Sequence, residues 1–390
     1  DVFSPQGSTP YSSYVYQMFG SDTNLRELYE SINTATSGDV INGSGETMRS
    51  GWANGMQRWL SANHYIRSRL IATVHAVGGT SYSGLKKGTT VYQQALDRVT
   101  AAKGGASSAG YDYEVNSISI IHGESEVGAT VQGYADTLLE WWSDYNNDVK
   151  LITNQERDIA CFVIGLSTFN NATENVPLGQ LKAHEDYPAI IYTTPSYIFP
   201  YMDEHHRLAE GAVKHGEYEM RAERFWMQGK KWNPLMPLSV NINGSFITIT
   251  LNNEVNGTDS YAGPVGPLSI DTSYITDPGN YGFRCTDANV TITNVSLGSD
   301  KKTILITLDS IPEVGAKITY AMQSDLRNSS NPPDRYERWK FAGARGNIRD
   351  NDTRDKSAFD GQNLYNWLVP FSKEIVEKTA TNEVPDNSTG

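Results

Sequence analysis

Asp203 and His206 stand three residues apart in Tyr201-Met-Asp-Glu-His-His-Arg-Leu-Ala-Glu-Gly211, after an apolar run and at the mouth of an amphipathic pattern. A carboxylate at that spacing can orient an imidazole, the arrangement with which a hydrolase activates a hydroxyl nucleophile. Alone the spacing is weak, because acidic residues also collect at helix N-termini, where they cap the helix and meet its dipole. His205 is a rival base, but the spacing to Asp203 and Gly211 favours His206. Two other polar clusters have chemical potential, Gly78-Gly79 and His122-Gly-Glu-Ser-Glu126. His184-Glu-Asp186 has metal-ligand residue types, but no second pair of ligands is near, so it reads as a solvated loop. No metal or other cofactor is expected.

The elements that must position these clusters alternate in type. Met48, Trp52, Met56 and Leu60 recur every four residues, as one face of a helix requires. Short apolar runs at 71–74, 117–121, 159–164 and 189–192 are separated by helical stripes, the clearest being Val131, Tyr134, Ala135, Leu138, Leu139 and Trp142. Strands alternating with helices predict a parallel sheet covered on both faces. Ligands of such sheets bind beyond the carboxyl ends of the strands. Gly78-Gly79, His122-Gly-Glu124, and Asp203 with His206 all follow apolar runs, so one rim can gather them. That convergence raises the acid–base reading of Asp203 and His206 above the helix-cap reading.

From about residue 236 the period changes to two. Residues 238–242, Asn243-Gly244 and 246–251 read as a β-hairpin. Further alternating runs at 290–293, 303–308 and 317–321 predict a small antiparallel β-sandwich. The expected organisation is an α/β domain over 1–235, the β-sandwich over 236–345, a tail over 346–378 packing back on the main domain, and a disordered end over 379–390.

The chain has 390 residues, more than one ordinary domain needs. A net charge of −13 argues against nucleic acid and against an anionic membrane surface as partners. No apolar run approaches the roughly 18 residues of a membrane span. Cys161 and Cys285, the two cysteines, have neither metal-ligand spacing nor the numbers for a disulfide framework. Aromatic residues are 11% of the chain, and tyrosine and tryptophan faces suit sugar rings.

Taken in order, three blocks resemble those of the SGNH hydrolases, and within them carbohydrate acetylesterases of the sialate O-acetylesterase type. Gly78-Gly-Thr-Ser81, with Tyr92 downstream, resembles the glycine block. His122-Gly-Glu-Ser-Glu126 is similar to the Q-G-E-S-D block, and Asp203-Glu-His-His206 with Gly211 resembles the D-x-x-H block. The resemblance covers roughly residues 45–220 and implies a flavodoxin-like parallel sheet and a serine esterase that deacetylates a sugar or polysaccharide. It implies His206 as the base, Asp203 as its orienting carboxylate, Gly78 and Gly79 as the backbone side of an oxyanion hole, and Glu124 as a loop buttress. His122 stands where the family has an amide side-chain donor. A neutral imidazole can donate one hydrogen bond, so His122 is either that donor or a structural histidine at a strand end. The β-rich tail, with Gly343-Ala-Arg-Gly-Asn-Ile-Arg-Asp350, is similar to appendages of such enzymes in phage tail proteins and polysaccharide-degrading bacteria. It implies an extracellular, cell-surface or virion-associated setting.

The nucleophile departs from the pattern. The family sets its serine in a G-x-S block directly after the first strand, upstream of the glycine block. Asp1-Val-Phe-Ser-Pro-Gln-Gly-Ser8 offers Ser8 after Gly7, without an apolar strand ahead of it. The expectation is that the first strand and its serine precede Asp1, with Ser8 as the candidate inside the chain. The alternative function is a non-catalytic glycan-binding or structural module.

Overall fold

The computed structural model describes residues 15–18, 26–27, 48–63, 69–167, 174–201, 207–322 and 344–376. Ser8, Asp203, His205, His206 and the 379–390 end lie outside the described residues. The first part of the chain runs β1 (Val15–Met18), β2 (Arg26–Glu27), α1 (Met48–Ala62), β3 (Leu70–Thr73), α2 (Thr90–Ser108), β4 (Ser117–Ile120), α3 (Val131–Thr153), β5 (Ala160–Gly165), α4 (Asn175–Asp186), β6 (Ile190–Pro195) and α5 (Ala209–Met227).

β4, β5 and β6 form a parallel three-stranded sheet with β5 at its centre. β5 reads Ala-Cys-Phe-Val-Ile-Gly, an unbroken apolar run, because both of its faces are covered. Cys161, Val163, Ile190 and Tyr192 pack on Tyr134, Ala135 and Leu138 of α3 and on Val176, Leu181 and Ala183 of α4. Ala160, Phe162 and Ile191 pack on Ala222 and Phe225 of α5. α3 starts where the Thr130 side chain accepts the Gly133 N–H, and it stops at Asn154 in the left-handed region.

β1 pairs in parallel with β3, with Met18 opposite Thr73, and β2 lies antiparallel along the other edge of β1. The sequence reading put the first strand before Asp1, yet a strand that precedes β3 lies within the chain. In sequence Tyr14-Val-Tyr-Gln-Met-Phe19 reads only as a short extended piece, because the four residues of β1 are too few to show either period-two alternation or a long buried run.

α1 crosses α5 at backbone contact. A Cβ on Gly216 would overlap the Met48 carbonyl oxygen, and one on Gly51 would overlap that of Val213. Beside this crossing, Ala53, Met56 and Leu60 meet Leu70 and Met220. α5 is unusual for the charge it buries: Glu217, Glu219, Arg221 and Glu223 are all nearly inaccessible. Glu223 accepts hydrogen bonds from the Trp52 indole and, at 3.2 Å, from the Ser117 hydroxyl. Glu219 accepts from Ser119 at 2.6 Å. Burial pushes the carboxyls of Glu223 and Glu217 up to about 7.

The second part is antiparallel. β7 (Pro237–Asn243) turns through Gly244-Ser245 into β8 (Phe246–Leu251), one residue beyond the expected Asn-Gly turn, with Gly244 at φ 59°. After β9 (Ser269–Ile270) and β10 (Phe283–Cys285) come β11 (Ile292–Leu297), β12 (Thr303–Leu308) and β13 (Lys317–Tyr320), then β14 (Ile348–Arg349) and β15 (Phe371–Glu374). One sheet has the order β11-β12-β8-β7 and another β10-β13-β15, while β14 pairs with β9. Ile247, Ile249, Leu251, Ile304, Ile306 and Leu308 alternate inward and share a core with Phe283, Ile318, Tyr320 and Phe371. Tyr197, Ile198 and Phe199, just after β6, belong to the same cluster, so the two parts are continuous through their apolar interior. β14 and β15 lie in the stretch read as a tail, which therefore supplies strands to the β-rich part. Between them the chain reaches α5: Arg224 holds Asp355 at 2.5 and 2.6 Å, Lys214 holds Asp360 at 2.7 Å, and Arg221 donates to the Leu364 carbonyl at 2.6 Å.

Two outcomes follow for α5. Replacing a helical glycine by alanine ordinarily gains about 1 kcal/mol in helix propensity. At Gly216 the clash with α1 outweighs this, since overpacking costs about 1–3 kcal/mol or more. Gly216→Ala is expected to lower the melting temperature by several degrees, and a rise would contradict the backbone contact. A carboxyl raised to about 7 contributes stability that is fully present below its unfolded pKa and is lost as pH rises through about 7. Glu223→Gln, which keeps an acceptor oxygen, is expected to flatten the fall in melting temperature between about pH 5 and 7.

Candidate active site

The segments leaving β3 and β4 are tied to each other at the carboxyl end of the strands. His122 Nε2 lies 3.2 Å from the Thr80 carbonyl oxygen, and Glu126 accepts the Tyr82 N–H at 2.5 Å. Gly78 and Gly79 lie between β3 and this tie, exposed, with open space where a Cβ would stand; Gly79 has φ 66°. The turn can therefore present its backbone to a ligand without side-chain obstruction.

His122 is buried, and both ring nitrogens have protein partners. A carbonyl oxygen carries no proton, so Nε2 is the protonated nitrogen and donates to Thr80. Nδ1 lies 3.0 Å from the Tyr134 hydroxyl, which is itself 3.0 Å from the His122 carbonyl oxygen. Burial lowers the His122 pKa, opposed by the carboxylates of Glu126 and Glu124. The neutral ring thus spends its one N–H inside the protein, and a substrate oxygen would have to displace Thr80 to receive it. Glu124 is half-buried beside this ring.

Gly123 is a second fixed point, at φ 140°, where an added Cβ would stand 2.6 Å from Val176. Gln180, buried on α4, accepts the Leu166 N–H at 2.7 Å and donates to the His122 carbonyl at 3.2 Å, joining the ends of β5 and β4. Ser167 and Ser196, both buried, lie 2.7 Å apart and join the ends of β5 and β6. Four strand ends are thereby held in one rim.

The Asp203–His206 segment follows β6 in sequence, between Tyr201 and Arg207. Tyr201 and Arg207 form an antiparallel bridge, and the Leu208 N–H donates to the Pro200 carbonyl at 2.8 Å, so its two ends are held together. Helix α5 begins only at Ala209, with Leu208 as its N-cap. That N-cap stands five residues beyond Asp203 in sequence.

His184 corrects an expectation. It is not in a solvated loop but buried in the last turn of α4, with Nδ1 3.2 Å from the Ile190 carbonyl and burial pushing its pKa down to about 3. Among the described residues no group of three or more His, Cys, Asp or Glu side chains is placed to hold a metal. No helix among them is long and apolar enough to cross a membrane. The sequence reading overlooked Gln180 and Arg207, whose roles depend on partners distant in the chain. It also overlooked Gly20-Ser21, which follows β1 directly in sequence and lies outside the described residues.

No protein-family model matches the chain, and comparison with curated proteins by sequence gives no match. Its fold is similar to that of a carbohydrate acetylesterase from Xanthomonas citri, with a TM-score of 0.55 at 12% identity over 94% of this chain and 74% of that one. A protein from Arabidopsis thaliana aligns with a TM-score of 0.44 at 17% identity over 57% of this chain and 85% of that one. The chain thus has a mixed α/β fold, with a parallel three-stranded sheet and separate antiparallel sheets.

The Gln180 linkage is testable. Gln180→Leu leaves the Leu166 N–H and the His122 carbonyl unpaired in the interior, at about 1–3 kcal/mol for each such group. Chemical denaturation is expected to show a loss of at least about 2 kcal/mol; an unchanged midpoint would mean that the two strand ends are not joined through this side chain.

Proposed function

We propose that the chain is a serine-type carbohydrate O-acetylesterase of the SGNH kind, acting on an acetylated sugar or polysaccharide. One observation carries the reading: the glycine turn after β3 and the His122–Glu126 segment after β4 are hydrogen-bonded to each other, and the segment bearing Asp203 and His206 follows β6 in sequence, with its flanks Tyr201 and Arg207 bridged. The fold likeness to a carbohydrate acetylesterase supports it.

Ser21 is the nucleophile in this reading. It follows the carboxyl end of β1 by three residues, just as Gly78 follows that of β3 by five, and β1 and β3 run parallel with Met18 opposite Thr73. Gly20-Ser21 is one residue shorter than the G-x-S pattern, which accounts for its being passed over. Ser8 lies seven residues before β1, on the side opposite to where a strand-end nucleophile stands in sequence.

The chemistry runs in two halves. His206 takes the Ser21 proton as the hydroxyl oxygen attacks the acetyl carbonyl, and Asp203 steadies the imidazolium. Backbone N–H groups at Gly78-Gly79 receive the oxyanion, a contribution of about 2.7–4 kcal/mol per donor in comparable sites. Collapse breaks the ester bond, and the sugar oxygen leaves with the proton from His206. Water, deprotonated by His206, then attacks the acetyl-serine, releasing acetate and restoring Ser21. Glu124 and His122 hold the loop and do not enter these steps. The substrate is a surface glycan met outside the cell or on a virion. Neither nucleic acid nor a membrane takes part.

The test is hydrolysis of p-nitrophenyl acetate and of acetylated polysaccharide by the full chain. Ser21→Ala and His206→Ala are each expected to lower kcat by roughly a thousandfold or more, and Ser8→Ala to leave it unchanged. Hydrolysis indifferent to both Ser21 and His206 would overturn the reading.

A further inference from the structure

Arg207 follows His206 directly, and its guanidinium points into the protein. NH1 lies 2.7 Å from Nδ1 of His215, one of the most deeply buried side chains in α5. A guanidinium only donates, so Nδ1 is the acceptor and the imidazole proton sits on Nε2. Nε2 lies 3.0 Å from a Glu219 carboxylate oxygen, close but poorly aligned, so this contact is electrostatic more than directional. The same oxygen accepts the Ser119 hydroxyl at 2.6 Å. Ser119 lies on β4, three residues before His122.

A continuous polar chain thus runs from Arg207, through His215 and Glu219, to Ser119 on β4, the strand that His122 follows by two residues. Its surroundings are rigid. The Arg207 guanidinium lies 5.9 Å from the Phe199 ring centroid, and that ring lies 6.0 Å from His215. The first turn of α5 is pressed against the same segment, since a Cβ on Gly211 would stand 3.1 Å from both Phe199 Cβ and the Pro200 carbonyl oxygen. A buried polar chain of this kind adds little net stability compared with well-packed apolar residues, and what it fixes is geometry.

We propose that Arg207 is a positioning residue for the Asp203–His206 loop, pinning the base of that loop to α5 and β4 through His215 and Glu219. The proposal rests on the esterase reading. Arg207 does not touch the substrate. It ties the residue that follows His206 in sequence to α5 and β4, and a displacement of about 1 Å at a reacting group can cost a hundredfold in rate.

The test measures kcat and KM for p-nitrophenyl acetate, with the melting temperature, on the full chain carrying Arg207→Ala, Ser119→Ala or His206→Ala. Arg207→Ala is expected to lower kcat by about ten- to a hundredfold with KM little changed, and millimolar guanidinium is expected to restore part of the loss. Ser119→Ala, at the far end of the chain and with little risk to folding, is expected to lower kcat a few-fold. Wild-type kcat in Arg207→Ala while His206→Ala is inactive would overturn the positioning role and leave the esterase reading standing. A loss in Arg207→Ala that follows its melting temperature, with no rescue by guanidinium and no effect of Ser119→Ala, would make the residue merely structural. Full activity in His206→Ala would overturn the esterase reading and the positioning role together.

Discussion

The buried charge on α5 is the constraint on which the rest of this structure depends. A helix placed against a parallel sheet ordinarily offers an apolar stripe, and part of α5 does so through Ala222 and Phe225. The remainder carries His215, Glu217, Glu219, Arg221 and Glu223 into the interior. Charged groups out of water are tolerated only when partners surround them. Those partners come from α1 through Trp52, from β4 through Ser117 and Ser119, and from the loop after β6 through Arg207. The chain after β14 supplies the rest: Glu217 accepts the Ala358 N–H at 2.6 Å, and Arg221 donates to Asn366 at 2.6 Å. Distant segments are thus required in one place by the needs of one helix.

This constraint also explains how the two parts of the chain hold together. The apolar core of the antiparallel sheets runs into Tyr197 and Phe199 after β6, and the Tyr197 hydroxyl donates to the Leu368 carbonyl at 2.7 Å. The stretch between β14 and β15 is anchored on α5 while its two ends are stitched into the β-rich part. Tyr201, just ahead of Asp203 and His206 in sequence, packs on this shared core, and Arg207, just after them, leads into α5.

Much of the parallel sheet was legible because β5 and β6 are buried on both faces, so that β5 is apolar throughout and β6 opens on the apolar run Ile190-Ile191-Tyr192. The β7–β8 hairpin and β12 were legible from strict alternation. β1 was legible only as a short extended piece, and β10, β14 and β15 were hidden by their shortness, their positions being set by pairing with distant strands. At the site, the order of the glycine turn, the His122 segment and the D-x-x-H segment could be read from strand ends. The engagement of both His122 nitrogens could not, since Thr80 and Tyr134 are far from it in sequence. His184 misled for a related reason: neighbouring acids make it look exposed, while α4 turns its ring into the core.

The proposed pairing of Ser21 as nucleophile with His206 as base can be tested directly. The most direct measurement treats the full chain with a fluorophosphonate, which reacts only with an activated serine, and maps the adduct by peptide mass. One adduct is expected, on Ser21, and it disappears when His206 is replaced by alanine. An adduct on Ser8, or no adduct on a chain that hydrolyses acetyl esters, would contradict it.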